Sequence, residues 1–507
     1  MPAQLSGPYV IGPGGNYANI AAAISALTTS GVSGPVSFLV TANDTGPWTL
    51  GAFPGQGTSN PVLFDGQGTT TISGTQPVLT LSGCASVTFR GFNAAFTSNT
   101  HSFVINAGTT DCVFTGCDFK TTVTTTGSTT GANAVFNFAG GSGCRIEDST
   151  FGGSYEALYS APANDSTTVQ RCKITGGGFW IMRLAGSNFT LVNNFITGVS
   201  NYGINAGVSG ATSTNLRIRN NSVYINHPTT SSQFCSLRWY STAAGTEVLN
   251  NIFYDAYTGT AALNMWCSGS IRPAVMNYNC FYSNIAGYFP VFATANQTLA
   301  SWQALGFDLN SIQADPTYVA PGATPPDLRL LTGSPCATAG TPLAAVPTDL
   351  FQSTRTTPVS IGAHEEAGGP GAFYAVFGGG CAGTAGVPTN TASPTPTLGA
   401  TIVVKFGRLP TPNTVAMLIG ASNTVSSLGP LPIHLLSVNA PGCALRVSLE
   451  VPVTLVGSGG SATLSLPIPN QPQLLGVPLY TQGLVLDPGR NGLGAVMSDS
   501  AILRIGV

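Results

Sequence analysis

The sequence predicts an all-β protein: a parallel β-helix of three-strand coils with an N-terminal cap, followed by an antiparallel β-sandwich. Three observations lead there. A short phrase, apolar–x–polar–polar–x–apolar, recurs at Val87 to Phe92, Phe114 to Phe119, Ile146 to Phe151, Val169 to Ile174, Leu191 to Ile196, Ile218 to Val223, Val248 to Phe253 and Met276 to Phe281. Its closing residues fall 22 to 32 positions apart, and self-similarity at such a period marks stacked units that bury one shared core. Asn194, Asn221, Asn251 and Asn279 each lie two before the close, which predicts a column of amides at a tight turn. Past Gly368-Gly369-Pro370-Gly371 the pattern changes to short apolar runs separated by Pro and Gly turns.

Residues 1–80 read as a cap with the first strands. Tyr17, Ile20, Ile24 and Leu27 have the spacing of one helix face, and Pro35 to Val40 reads as a strand. A helix over a solenoid end protects apolar coil and unpaired strand edges. The coils are assigned to 81–367. Within each, the opening apolar residue ends one strand, the polar pair makes the turn, and the closing residue starts the next strand. Asp148 and Arg171 share one grid position in adjacent coils, as do Arg217 and Glu247, and each pair is expected to meet as an ion pair. Leu299 to Leu305 predicts a short helix, and Asp349 to Glu365 is expected to close the solenoid. Residues 372–507, with runs such as Thr401 to Val404 and Leu445 to Leu449, predict the sandwich.

Composition excludes several functions. Charged residues make up 7% of the 507, against roughly 25% in ordinary globular proteins. Net charge is −2, and Lys120, Lys173 and Lys405 are all the lysines. Without clustered cations there is no basis for nucleic-acid binding or for docking on an anionic membrane. No apolar run approaches a membrane span, and Met1-Pro2-Ala3-Gln4 shows neither a charged leader nor an apolar h-region, as expected of a cytosolic chain or of an exported one after processing. The Ser, Thr, Asn and Gly richness favours an exported mature chain over a cytosolic one.

The eleven cysteines contain no Cys-x-x-Cys and no His partner at zinc spacing, so no metal site is expected. Cys112 and Cys144 share one coil position, Cys117 and Cys172 another. They read either as stacked buried thiols or as disulfides between coils. In a secreted chain Cys381 and Cys443, alone in the C-terminal region, pair best with each other.

The resemblance set out below implies that the strand after the long loop carries the saccharide-binding face. Leu158, Ile181, Ile204, Leu237 and Leu263 are placed inward, and alternation then points Tyr159, Met182, Asn205, Arg238 and Asn264 outward. Tyr240 and Trp266 follow on the same side. Tyr159, Asn205, Arg238, Tyr240, Asn264 and Trp266 are therefore the candidate substrate-binding residues. Catalytic candidates are Glu156, Arg183, Arg238 and Asp255. Glu156 and Asp255 lie several coils apart, too far for the 5–9 Å spacing of a glycosidase pair. His101, His227, His364 and His434 stand beside no readable nucleophile and orienting acid.

The segments ITGVSNYGINAG (196–207) and LRIRNNSVYIN (216–226), with the asparagine column, resemble right-handed parallel β-helix proteins of the pectate-lyase-like group. GPYVIGPGGNYANIAAAISAL (7–27) is similar to the N-terminal cap of secreted bacterial β-helix proteins. In DLFQSTRTTPVSIGAHE (349–365), Asp349, Arg355, Gly362 and Glu365 match those proteins' closing motif. GGGCAGTAGVP (378–388) and APGCAL (440–445) place Cys381 and Cys443 at the cysteine positions of a C-terminal domain found on large exported proteins. The resemblance implies export, an extracellular or cell-surface location, and polysaccharide or cell-envelope partners. Polygalacturonase motifs are absent, and the carboxylate cluster that holds calcium in pectate lyases is not found. The expectation is a structural or interaction rod that binds glycans or self-associates, without a cofactor. The alternative is a polysaccharide lyase, which would need calcium, or a glycoside hydrolase, acting on the Tyr159–Trp266 face.

Overall fold

The computed structural model describes residues 3–506 apart from 97–100, 122–133, 154, 208–212, 228–233, 241–244, 258–263, 268–271, 285–290, 293–294, 332, 367–371, 472–473 and 475–476. The chain divides into two compact units, Met1–Glu365 and Glu366–Val507.

The first unit is a parallel β-helix. A first sheet stacks the strands before the tight turn, with Ile146 beside Phe114 and Val169, then Leu191, Ile218, Val248 and Met276 in succession. A second sheet stacks those after it: Phe119, Phe151, Ile174, Ile196, Val223, Phe253 and Phe281. A third stacks Phe103, Phe136, Leu158, Met182, Ile204, Leu237 and Met265. All these residues are buried, and they fill one continuous core. Parallel pairing begins earlier than residue 81, since Leu5–Ile11 already pairs with Val32–Val40 and the latter with Val62–Ser82.

The coil turns need the left-handed backbone conformation. Asp148, Arg171, Asn193, Asn220, Asn250 and Tyr278 all hold φ between 50° and 56°, just before the ladder position. Asn tolerates that region better than most residues, which accounts for the Asn-Asn pairs at 193–194, 220–221 and 250–251.

The ladder residues stand in a single file. Oδ1 of Asn221 accepts from Asn194 N (3.1 Å) and Nδ2 (2.9 Å), Oδ1 of Asn251 from the same atoms of Asn221, and Oδ1 of Asn279 from those of Asn251. Ser149 and Cys172 carry the file backwards: Cys117 N donates to Ser149 Oγ, and Cys172 N to Asn194 Oδ1. It ends forwards at Asp308, whose Oδ1 accepts from Asn279 Nδ2 at 3.0 Å.

Both ends of the solenoid carry a helix. Ile20–Ser30 buries Ile20, Ala23, Ile24 and Leu27; Asn19 caps it by accepting from Ala22 N, and Gly31 ends it at φ 72°. Tyr17 precedes the helix and bridges Ile11 instead. At the other end Leu299–Ala304, with a Thr298–Ser301 capping box, drives the fully buried Trp302 into the core.

The segment Asp349 to Glu365 does not close the end. It runs back along the flank, where Arg355 donates to Asn193 Oδ1, Gly362 N to Asn250 O and Ala363 N to Ser222 Oγ. The end was already plugged by Trp302, and the outward Phe195, Ile252 and Cys280 needed cover; Leu328, Leu330, Leu350 and Ile361 supply it. Asp349, Arg355, Gly362 and Glu365 meet in one buried network, with Arg355 on Glu365 Oε2 (3.0 Å) and the Gly362 carbonyl, and Asp349 accepting from Glu365 N.

Arg171 clasps Asp148 through two bonds of 2.7 and 2.8 Å. Arg217 is in register with Glu247 but does not take it: Glu247 pairs with Arg219. Arg219 is the next side chain on the same face of that strand, and its fork reaches the carboxylate diagonally. The solenoid cysteines are buried thiols, with Cys84 and Cys112 sulfurs 3.8 Å apart.

The second unit is an antiparallel sandwich. One sheet orders Phe373–Gly378, Ser500–Arg504, Pro478–Leu486, Thr414–Gly420 and Val451–Val456, with Ala495–Met497 beside Pro478–Leu486. The other orders Thr389–Ser393, Thr401–Gly407 and Ser461–Pro467. Ile402, Val404 and Phe406 from one pack with Val415, Met417, Val485 and Leu503 from the other. Cys381 and Cys443 are joined in a disulfide, Cα atoms 5.0 Å apart.

Candidate functional site

The third sheet turns a corner at each coil, and two consecutive side chains face the core there. Val135 and Phe136, Ala157 and Leu158, and Ile181 and Met182 are such pairs, all in the main core. Gly203 and Ile204 continue the series: a Cβ on Gly203 would sit 2.6 Å from Ser236 O and 3.2 Å from Ile225 Cδ1. Simple alternation fails at this corner. Ile181 is inward as expected, but Met182 is inward too, and Arg183 takes the outward place beside Tyr159 and Asn205. Asn264 likewise turns inward; Met265 is the core partner of Leu237, and Trp266 is the outward partner of Arg238. Leu263 lies outside the described residues.

The outward file is thus Asn137, Tyr159, Arg183, Asn205, Arg238 and Trp266. Behind it, on the strand side of the corner, a second outward file carries Trp180, Tyr202 and Cys235, and Tyr202 and Cys235 pack apart from the main core among Phe179, Trp180, Phe234 and Trp266. Glu156, three before Tyr159, falls at the same place as Tyr202, three before Asn205.

Two arginines organise this surface differently. Arg183 Nε and Nη2 bond Glu156 Oε1 and Oε2 at 2.6 and 2.9 Å. Burial pushes the Glu156 carboxyl up, and the Arg183 fork pulls it back down. The same guanidinium lies 4.7 Å from the Tyr159 ring and 4.5 Å from that of Trp180. Arg238 lies 4.5, 4.8 and 4.6 Å from the rings of Tyr202, Tyr240 and Trp266. Tyr240 and Trp266 rings are themselves 5.3 Å apart. Burial raises the phenols of Tyr202 and Tyr240 while Arg238 opposes it.

Four buried polar atoms on this face meet no hydrogen-bond partner among the described residues: Asn137 Oδ1, Trp180 Nε1, Asn205 Oδ1 and Arg238 Nε. Asn205 is 5% exposed, and its amide nitrogen is spent on Gly207 O.

Asp255 does not belong to this face. It stands on the second sheet in register with the core residue Ile225 and is fully buried. There it accepts from Ser236 Oγ (2.7 Å) and Asn264 Nδ2 (3.0 Å), and meets His227 Nε2 at 2.8 Å. Burial raises its carboxyl, opposed first by His227. This interior polar cluster, with His227 stacked 4.3 Å from Tyr257, was not legible as a cluster. The signal was a polar column where Val135, Ala157 and Ile181 stand in earlier coils. Neither carboxylate suits calcium: Glu156 is occupied by Arg183, and Asp255 faces the core. Among the described residues no group of three His, Cys, Asp or Glu is arranged around a metal position.

No family model matches the chain, and no curated protein matches it. Among solved structures, the crystal structure of pectate lyase Pel9A is similar at 12% identity with a TM-score of 0.37, over 71% of this chain and 97% of that one. The parallel β-helix is read from the strand pairing itself, and no helix of the described residues is long and apolar enough to cross a membrane.

Proposed function

We propose that the first unit is a rigid extracellular rod that holds a glycan chain along the outer face of its third sheet. The observation that carries this reading is the outward file from Asn137 to Trp266, with its rings, amides and guanidinium groups at one coil spacing. Amphipathic rings and amide groups at one coil spacing suit a repeating polyhydroxylated chain: rings meet its apolar faces, and amides and the guanidinium meet its hydroxyls. Stacked strands repeat about every 4.8 Å, so the file offers a regular series of contacts. The reading is of binding without turnover, because Glu156 is held by Arg183 and no second carboxylate shares the face. The sandwich then serves to link or anchor the rod at a cell envelope.

A panel of uronate and neutral polysaccharides, with and without calcium, tests it. Retention that is lost in Trp266→Ala, with no product formed, supports binding. Product formation abolished by Arg238→Ala or Glu156→Gln would replace it with the lyase or hydrolase alternative.

A further inference from the structure

We propose that Cys280 and Cys336 are a disulfide-forming pair that fastens the flank segment, 318–365, to the solenoid when the protein matures in an oxidising compartment. Both are thiols in this structure. They come from different parts of the fold. Cys280 stands on the second sheet, in register with Ile252 and Ile312. Its side chain points away from the coil, whereas that of its neighbour Phe281 points into the main core. Cys336 belongs to the flank segment, where its carbonyl accepts from Ile361 N at 2.8 Å.

The two are drawn to one place. Cys280 Sγ donates to Ala314 O at 3.2 Å. Two residues on, Pro316 O accepts from Ser334 Oγ (2.7 Å), which in turn accepts from Cys336 N (3.2 Å). Both cysteines are fully buried, and both pack in the cluster of Leu328, Leu330 and Ile361. There the thiols hydrogen-bond to each other; burial first, and this contact second, push the Cys336 thiol well above its ordinary range.

Cys84 and Cys112 sulfurs are also close, at 3.8 Å, but both lie inside the main core and are sealed as the coils wind. Cys280 differs because it faces outward and the flank segment is what covers it. Until that segment docks, the Cys280 thiol lies open to exchange on the outside of the second sheet. Its thiolate attacks a donor disulfide, either oxidised glutathione or the disulfide of a thiol oxidoreductase, and releases one donor thiol. The Cys336 thiolate then attacks the Cys280 sulfur of this mixed disulfide and releases the second. Two protein thiols lose two protons and two electrons, and the donor takes them up as two thiols. The Cys381–Cys443 disulfide belongs to a compartment that holds such donors. A covalent link limits the freedom of the undocked segment, so the segment opens less often.

The test uses the whole protein, exported during expression and alkylated with iodoacetamide before any reduction. Peptide mapping is expected to find the Cys280 peptide linked to the Cys336 peptide in most molecules, with the other solenoid cysteines alkylated. Cys381–Cys443 is the internal reporter of oxidation. Limited proteolysis reads the fastening, in a Cys381→Ser, Cys443→Ser background so that reductant acts on the remaining pair. Reduction should speed cleavage within 316–366 at least ~10-fold, within what one disulfide contributes. A further Cys336→Ser substitution should make cleavage insensitive to reductant. Recovery of both Cys280 and Cys336 alkylated, in molecules whose Cys381–Cys443 bond is intact, would overturn the pair whatever the variants do. So would a Cys84–Cys112 link in its place. A Cys280–Cys336 link with cleavage unchanged by reduction would overturn the fastening role.

Discussion

Replacing Asn251 by alanine should destabilise the solenoid by about 3–5 kcal/mol. The amide of Asn251 donates to Ile218 O (2.8 Å), Leu249 O (3.0 Å) and Asn279 Oδ1 (3.2 Å). Its Oδ1 accepts from Asn221 N and Nδ2, both at 3.0 Å. Truncation strands the backbone N–H of the fully buried Asn221, which costs about 1–3 kcal/mol, and removes further bonds worth about 1 kcal/mol each. That is a large share of the 5–15 kcal/mol typical of a domain. Asn220 is the control. It too is fully buried, but its amide meets no partner among the described residues, and its φ of 50° suits glycine. Asn220→Gly should change stability by less than about 1 kcal/mol. Urea unfolding followed by tryptophan fluorescence reads the solenoid alone, because all five tryptophans (48, 180, 239, 266 and 302) lie in it. A loss below about 1 kcal/mol for Asn251→Ala at unchanged slope, or equal losses at both positions, would refute the reasoning.

Arg355→Ala should cost about 3–5 kcal/mol, because it leaves Glu365 buried without its cation; early protease cleavage within 316–366 is the readout. In a Cys336→Ser background, reduction of Cys381–Cys443, which spans 62 residues, should lower the stability of the sandwich by about 4 kcal/mol and leave the fluorescence midpoint of the solenoid unchanged. His101 carries a pH effect. Burial is the main cause that holds its imidazole down to about 4, from 6.5, while Nδ1 accepts from Ala134 N. Because the folded value is depressed, the unfolded chain binds the extra proton between those values. Stability is then full above pH 6.5 and falls by about 2–3 kcal/mol as pH drops towards 4. His101→Gln should flatten that part of the stability–pH curve; an unchanged slope counts against the assignment.

The repeat made the fold class legible because each coil must place the same residue types at the same turn, whatever the intervening loops do. Asn194, Asn221, Asn251 and Asn279 could be aligned without coordinates for that reason. The third sheet was harder. Its corner turns two side chains inward in succession, so a two-residue period assigns Arg183 and Trp266 correctly only if the count restarts at Met182 and Met265. The pairing of Arg183 with Glu156 and the enclosure of Arg238 depend on that restart. Asp255 was misplaced for a different reason: a carboxylate in an otherwise apolar column reads as surface until its partners His227, Ser236 and Asn264, from three separate strands or loops, are seen converging.

The amide file has a direction. Every member donates its backbone N–H and an amide N–H forward; at the last, the backbone N–H goes to Ser311 Oγ and the amide to Asp308, an acceptor-only group that also receives Trp302 Nε1 and Ser311 Oγ. A coil duplicated between Asn194 and Asn279 would inherit an acceptor ahead and a donor behind, so the rod can be lengthened from its middle. A coil appended after Asp308 would find no donor waiting, and the terminator would have to be rebuilt with it. Growth by internal duplication, with a fixed terminus, is the mode of evolution this polarity permits.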